Sequence, residues 1–225
     1  MDADGSNVVQ LTDYPATHRS PAFSPDDAQI AFWSTRDGGV HIYVMQADGS
    51  GVRRLTQDGS NMDPSWSPDG KRIVFISNPD GRWKVYTMNP EGGEVTDLDA
   101  VASSWQSRPV YSPDGQKILF GSTRDDPLGD IFVMNSDGTD VQNLTPDAMA
   151  GDYPVWSQDG QSIAFDGSLD PRSGEPWRVY RMHLENKELT PLTDFRAEPH
   201  AWAWFPAQNS TRATARLACS VIRPN

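Results

Sequence analysis

The stretch Pro64-Ser65-Trp66-Ser67-Pro68-Asp69-Gly70 recurs along the chain with small changes. Further copies begin at Pro21, Pro109 and Pro154, so the opening prolines lie 43, 45 and 45 residues apart, and Pro199 follows after another 45. A period of this length, with turn residues in every unit, is typical of a repeat architecture. The stretch therefore marks the unit from which the fold is built.

Each copy predicts a β-hairpin. In Ser-Pro-Asp-Gly, proline presets φ at the second position, aspartate suits the third, and glycine accepts the positive φ that closes the turn. A short apolar piece that ends in an aromatic residue precedes the turn, and a β-rich run such as 71–75 follows it. We expect the aromatic residues to pack between neighbouring units, since no unit alone can bury both of its faces. They are Phe23, Trp66, Tyr111 and Trp156.

The rest of each unit is equally regular. In the first unit a second turn at Asp37-Gly38 leads to the run Ile42-Tyr43-Val44-Met45, and a third turn at Asp48-Gly49 leads to a short strand that ends in Leu55-Thr56. Four antiparallel strands in 43 to 45 residues are typical of one blade of a β-propeller. We therefore predict an all-β propeller of four-stranded antiparallel blades with essentially no helix.

These motifs resemble a known family. The Pro-x-aromatic-Ser-Pro-Asp-Gly opening, the Ile-Tyr-Val-Met strand and the Leu-Thr ending are similar to the Pro-Asp (WD-like) repeats of the TolB C-terminal propeller, over residues 1 to about 205. The resemblance implies a non-enzymatic module that binds a protein or peptide, in a periplasmic or secreted setting. A peptidoglycan-associated lipoprotein or a similar protein is the partner that it implies. Similar blades also occur in prolyl-oligopeptidase-like propellers and in oligogalacturonate lyases, so the repeat type alone does not define the function.

The repeat predicts a single domain over 1–225 with about five blades, the last one incomplete. Residues 1–12 repeat 45–56 almost position for position, which predicts the end of a third strand, a turn and a fourth strand. We expect this segment to close the fifth blade; the alternative is an open four-bladed arc of a larger ring. The predicted blades are about 18–56, 61–98, 105–145, 152–193 and 199–221.

Composition narrows the range of partners. The net charge of −12 argues against binding to nucleic acid or to anionic membranes. No apolar run reaches 18 residues, so no membrane span is expected, and the single cysteine, Cys219, permits no internal disulfide. No signal peptide is recognised before Asp2. All 31 acidic residues lie in 1–198, which indicates either a diverged closing blade or a foreign segment at the C-terminal end.

Candidate binding residues precede the opening prolines. There the connector of each blade reaches its first strand, and loops from every blade meet at one mouth of the central channel. The alternative interpretation is that they are solvated loop residues of mixed charge. The candidates are Arg19, Asp63, Arg108, Asp152, Tyr153 and Glu198, together with His18 and His200, which lie near the starts of the first strands of blades one and five.

No catalytic or metal site is predicted. The sequence 2–5, Asp-Ala-Asp-Gly, imitates the start of a calcium loop, but the remaining ligands and the bidentate glutamate are missing, so hairpin turns explain the many Asp-Gly pairs. The four histidines do not assemble the three or four ligands of a transition-metal site. There is no Gly-x-Ser-x-Gly elbow, and Cys219 lies in an apolar run where an inert thiol is expected. We expect no cofactor.

One alternative function stays open at this point. A carbohydrate-active enzyme, either a glycan lyase or a hydrolase, would place its site in the central channel. Clustering of the acidic residues Asp63, Asp152 and Glu198 with His18 and His200 around one point would favour that alternative, whereas a wide funnel of loops would favour binding.

Overall fold

The computed structural model describes residues 6–98, 105–145 and 149–193. These residues form sixteen strands in four separate antiparallel sheets of four strands each. The one helical element in the described ranges is the short 3-10 turn Pro171–Ser173, and no helix there is long and apolar enough to cross a membrane. The predicted all-β propeller is therefore confirmed, with one sheet for each of the first four blades.

The strands follow the repeat in chain order. Blade one contains β1 His18–Phe23, β2 Gln29–Ser34, β3 His41–Gln46 and β4 Arg53–Arg54. Blade two contains β5 Asn61–Trp66, β6 Ile73–Ser77, β7 Lys84–Met88 and β8 Thr96–Asp97. Blade three contains β9 Gln106–Tyr111, β10 Lys117–Ser122, β11 Asp130–Asn135 and β12 Gln142–Asn143. Blade four contains β13 Ala150–Trp156, β14 Ser162–Ser168, β15 Arg178–His183 and β16 Leu189–Pro191.

The first strand of each blade lies at the centre. Within every sheet the strands are paired in chain order, and β1, β5, β9 and β13 contact one another in sequence. Each of these inner strands has a hydrogen-bonded partner on one side only, so its proline (Pro21 in β1, for example) removes no ladder hydrogen bond on the open side. This explains why proline recurs inside a strand.

The Ser-Pro-Asp-Gly turns form one end of the propeller, which we call the turn face. In blade two, Ser67 Oγ donates to Asp69 Oδ1 at 2.6 Å, and the Lys71 amide donates to the same oxygen at 3.1 Å. Gly70 has φ of +71°, as the turn requires. A Cβ on Gly70 would lie 3.7 Å from Pro25 Cδ in the preceding turn, so successive turns touch. The opposite end, with the connectors into the first strands and the loops between second and third strands, is the mouth face.

The outer strands are shorter than predicted. The sequence places the end of the fourth strand of blade one at Leu55-Thr56, whereas β4 ends at Arg54. The Leu55 amide still donates to Ile42 O at 2.8 Å, but Thr56 then turns its hydroxyl inward and accepts the Ile42 amide at 3.0 Å. Because a side-chain oxygen replaces the backbone carbonyl, the ladder ends early. Blade three repeats this arrangement with Thr145 Oγ1 and the Ile131 amide.

The hydrophobic core lies between the blades. Ile42 and Val44 of blade one join Trp66 and Phe75 of blade two in one buried cluster. Trp66 is 8% exposed, and its Nε1 donates to Ala22 O of the preceding blade at 3.1 Å. The expected burial between blades is thus confirmed for Trp66.

Trp156 departs in part from that expectation. Its indole packs against the cluster shared by blades three and four, and its Nε1 donates to Val110 O at 3.2 Å. The ring is nevertheless only half-buried, because it also lines a cleft that opens on the turn face.

The N-terminal segment was predicted as a fourth strand, but residues 6–12 have irregular backbone. Leu11 nevertheless packs against the cluster that includes Ile30 and Phe32 of blade one. Its carbonyl oxygen would lie 2.8 Å from a Cβ on Gly49, much as Leu55 O would lie 2.7 Å from one on Gly92 in the next blade. The segment therefore occupies the place that the end of a preceding blade occupies elsewhere. The predicted fifth blade, 199–221, lies outside the described residues.

Candidate binding site at the mouth of the propeller

A β-bulge interrupts each inner strand at the candidate residues. In blade one the pairing register shifts between Arg19 and Ala22, and the same shift occurs in the other three blades. The bulged residue precedes the opening proline and has a left-handed backbone, uncommon for residues other than glycine. The four residues and their φ angles are Ser20 (50°), Asp63 (52°), Arg108 (40°) and Tyr153 (55°).

The bulged residues connect one blade to the next. Ser20 Oγ of blade one donates to Asp63 Oδ1 of blade two at 2.6 Å. The amide of Arg108 in blade three donates to Asp63 Oδ2 at 3.3 Å. One carboxylate thus joins three consecutive blades around the channel, and both of its oxygens are occupied.

A second carboxylate joins blades three and four. Ser107 Oγ donates a short hydrogen bond to Asp152 Oδ1, and the Tyr153 amide donates to the same oxygen at 2.7 Å. Burial raises the pKa of the Asp152 carboxyl, while these two hydrogen bonds and the charge of Arg108 oppose that shift. A Cβ on Gly121 would lie 2.5 Å from Ser107 Oγ and 2.9 Å from Asp152 Oδ1, so the close approach requires glycine there. The sequence analysis did not single out Gly121.

Arg108 and Tyr153 form the third contact between blades. The Arg108 guanidinium carbon lies 4.2 Å from the centre of the Tyr153 ring, within the range of a cation–π interaction. Burial, and then the charge of Asp152, raise the pKa of the Tyr153 hydroxyl. The structure thus brings Asp63, Arg108, Asp152 and Tyr153 into one series of contacts along the rim of the channel.

The remaining candidates lie apart from this series. Arg19 is exposed. The contacts of His18 lie within its own blade and connector: its Nε2 is 3.2 Å from Tyr14 O, and its ring meets Phe32 edge-on at 5.8 Å. Glu198 and His200 lie outside the described residues. The grouping of histidines with acidic residues that would favour an enzyme is therefore not tested.

The loops around the mouth carry exposed apolar side chains that the sequence analysis missed. Trp105, in the connector to blade three, is 45% exposed, and its ring lies 5.7 Å from that of Trp83 in the loop between β6 and β7. Tyr14, Leu128 and Leu169 are exposed in other connectors and loops of the same face. The available signal was the presence of large apolar residues in segments rich in Gly, Pro, Asp and Ser.

Two arginines of this face lie over aromatic rings. The guanidinium carbon of Arg36 is 5.2 Å from the ring centre of Tyr14 and 5.5 Å from that of Tyr43. Arg124 stands in the same way over Phe120 and Phe132 of blade three. Both belong to a repeated Ser-Thr-Arg-Asp sequence, 34–37 and 122–125, which was a signal that sequence reasoning could have used.

The aspartates of the Asp-Gly turns are engaged within their own turns. Asp48 Oδ1 accepts the Ser50 amide at 2.8 Å, and hydrogen bonds from Ser50 lower the pKa of Asp48. Within 6–98, 105–145 and 149–193, no group of three His, Cys, Asp or Glu side chains is placed to hold a metal ion. For these turns the hairpin interpretation fits better than the calcium interpretation.

A family model described as the TolB beta propeller domain matches residues 1–106. The Tol-Pal system protein TolB of Syntrophus aciditrophicus is 36% identical over 52 residues, which are 23% of this chain and 12% of that protein. The chain is therefore similar to the TolB β-propeller in sequence and in fold.

Solved structures show the same similarity in fold. The crystal structure of TolB from Acinetobacter baumannii superposes with a TM-score of 0.75 at 24% identity, covering 85% of this chain and 47% of that one. A putative TolB from Agrobacterium tumefaciens gives a TM-score of 0.70 at 27% identity, covering 77% of this chain and 64% of the other. The TolB-like propeller thus spans about half the length of the Acinetobacter protein.

Proposed function

We propose that the TolB-like propeller is a binding module whose mouth face takes a protein or peptide. The observation that carries this proposal is the set of exposed apolar side chains on connectors and loops of several blades, around Trp83 and Trp105. Aromatic anchors surrounded by polar residues are typical of protein interfaces. Arg19 and the Arg108–Tyr153 pair would supply polar contacts at the centre of this surface.

The state of the two rim carboxylates also supports binding rather than catalysis. Asp63 uses both oxygens to join blades, and Asp152 accepts two hydrogen bonds from blades three and four. A general base or nucleophile needs a lone pair directed at the substrate. We therefore assign Asp63 to positioning the rim, whereas Asp152 is engaged through Oδ1 alone. The glycan enzyme remains the alternative.

The partner follows from the relatives. The name of the Syntrophus protein places that protein in a Tol-Pal system. By analogy, we propose a periplasmic setting and a peptidoglycan-associated lipoprotein or a similar protein as the partner. The net charge of −12 would favour a partner surface that presents cationic groups.

The test is a calorimetric titration with the soluble domain of a peptidoglycan-associated lipoprotein from the same organism. Trp105→Ala should weaken binding by at least about tenfold, as expected for an aromatic anchor. Val141→Ala is the matched control: Val141 is also exposed, at 38%, but lies beside the outer strand of blade three. Equal affinity of wild type and Trp105→Ala would contradict the proposed surface, and depolymerisation of an acidic glycan by the wild-type chain would favour the enzyme instead.

A further inference from the structure

The three described interfaces between blades use the same two positions. One is the aromatic residue at the end of the inner strand, and the other lies two residues after the methionine near the end of the third strand of the same blade. Ser136 and Leu184 are equivalent at the second position, since their amides donate to Gln116 O at 2.8 Å and Gln161 O at 2.9 Å. The pairs are Trp66 with Pro90 in blade two, Tyr111 with Ser136 in blade three, and Trp156 with Leu184 in blade four.

Blade three therefore has the smaller side chain at both positions, and a cleft opens where it meets blade two. This cleft has a volume of about 660 Å³, whereas the equivalent cleft between blades three and four has about 290 Å³. Both lie at the turn face, and several of their lining residues are equivalent: Pro68 to Pro113, Arg72 to Lys117, Tyr111 to Trp156. The larger volume falls in the range of about 300–1,000 Å³ that small-molecule sites occupy.

The flanking interfaces show what chemistry fits at this position. In blades two and four an indole packs between the blades and donates its N–H to a carbonyl of the preceding inner strand, Ala22 O or Val110 O. Tyr111 has a smaller ring system and no ring N–H, and within the described part of the chain no side chain donates a hydrogen bond to the Ser65 carbonyl. The apolar part of the cleft wall is formed by Pro68, Leu98 and the Tyr111 ring. Its hydroxyl groups come from Thr87 and Thr96.

We propose that the cleft between blades two and three, lined by Pro68, Arg72, Leu98, Tyr111 and Ser136, binds a compact aromatic ligand with an N–H donor, of the indole class. The site lies on the face opposite the mouth and does not depend on the proposed protein partner. The ligand would fill space at an interface where the neighbouring interfaces carry the larger tryptophan side chain. The indole ring of this ligand belongs either to a free small molecule or to an exposed tryptophan side chain.

The charges of the cleft select a neutral or cationic ligand. Its one lining cation, Arg72, is already engaged: NH1 donates to Glu94 Oε2 at 2.9 Å, and NH2 donates to Thr87 Oγ1 at 2.7 Å. Asp69, Asp114 and Asp137 line the same cleft. Hydrogen bonds within their turns lower the pKa of each, so all three are negative at neutral pH. An indole that carries a carboxylate is therefore disfavoured.

The probe is 5-fluoroindole, followed by fluorine NMR with the whole chain. We expect saturable binding with a dissociation constant on the order of 1 mM or tighter. Tyr111→Trp and Ser136→Leu each install the residue of blade four and should weaken binding by at least about tenfold. Phe23→Trp is the matched control, because it adds an indole at the equivalent position of blade one without touching this cleft, and it should bind as wild type does.

Further binding measurements distinguish between types of ligand. Fluoroindole-3-acetate should bind at least about tenfold more weakly than fluoroindole. Competition by N-acetyltryptophanamide would identify a tryptophan side chain as a source, and its absence would restrict the site to small molecules. Thermal melting checks that Tyr111→Trp is folded. No saturable binding to wild type, or unchanged binding to both filling variants, would overturn the proposal.

Discussion

In the four described blades, the residue before the opening proline adopts a left-handed backbone, which is uncommon for residues other than glycine. A left-handed backbone at a residue other than glycine costs on the order of 1–3 kcal/mol, and a following proline further restricts that residue. Ser20, Asp63 and Arg108 persist there because they bond to one another across blades. The strained backbone and the hydrogen bonds between blades thus occur at the same residues. Together they direct polar groups into the channel.

Replacement of Asp63 tests this coupling. Asp63→Ala leaves the Ser20 hydroxyl and the Arg108 amide without their acceptor and keeps the left-handed backbone, so the free energy of unfolding should fall by about 1–3 kcal/mol. Asp63→Asn should cost less, because asparagine tolerates this backbone region and retains one acceptor oxygen. Urea denaturation measures both values. Asp58→Ala, on an exposed connector, serves as the control, and an Asp63→Ala variant as stable as this control would refute the role.

At the scale of elements, the Ser-Pro-Asp-Gly turn is stabilised by its aspartate in the charged form. Asp26, Asp69, Asp114 and Asp159 each accept a serine hydroxyl at 2.5–2.6 Å, and this hydrogen bond is the main cause that lowers each pKa. A pKa lowered in the folded state adds stability above the ordinary aspartate pKa. That stability is lost as the pH falls through the lowered value. The turns should therefore weaken together in acid, below about pH 4.

Ser67→Ala tests this account in one turn. Without the Ser67 hydroxyl, the pKa of Asp69 should rise toward its ordinary value, and the pKa of Asp114 in the next turn should stay unchanged. A carbon-13 NMR titration of the side-chain carboxyl groups measures both in the same sample. A pKa of Asp69 that is the same in variant and wild type would show that the lowering has another source.

At the scale of the whole molecule, blade one depends on the segment that precedes it. Leu11 covers part of the face formed by Ile30, Phe32 and Met45, which is the face turned away from blade two. The equivalent faces of the later blades are covered by the preceding blade. We propose that 1–12 closes the ring by completing the blade of 199–221.

Deletion of residues 1–12 should therefore lower the melting temperature and promote oligomers, because apolar surface and a sheet edge become exposed. Calorimetry and size-exclusion chromatography with light scattering measure the two effects. The double variant Val8→Ala/Val9→Ala is the control, since these side chains are 74% and 67% exposed. A deletion variant that stays monomeric with unchanged melting would show that the segment closes nothing.

Local patterns were sufficient to predict the blades. Turn residues act over four positions and strands alternate with a period of two, so the 43- to 45-residue repeat led to strand bounds close to those observed. The end of the fourth strand was predicted wrongly, because a side-chain oxygen takes the place of a backbone carbonyl as acceptor. The Thr56 hydroxyl accepts the Ile42 amide, and β4 therefore ends early. The places of Asp63, Arg108 and Tyr153 along the chain followed from the sequence, since each directly precedes an opening proline, and their role in binding stays a prediction.

The sequence by itself determined the repeat, the turns, the four strands of each blade and the end of the blade on which the polar residues gather. Only the tertiary structure decided which partners they have: Asp63 meets Ser20 and Arg108, which are 43 and 45 residues away. It also decided that Tyr111 and Ser136 leave a cleft where their counterparts leave a smaller one. The physical reason is range, because hydrogen bonds and steric limits along the backbone act between neighbours in the chain. Contacts between blades instead depend on the angle and distance at which neighbouring sheets pack, and no short stretch of sequence encodes these.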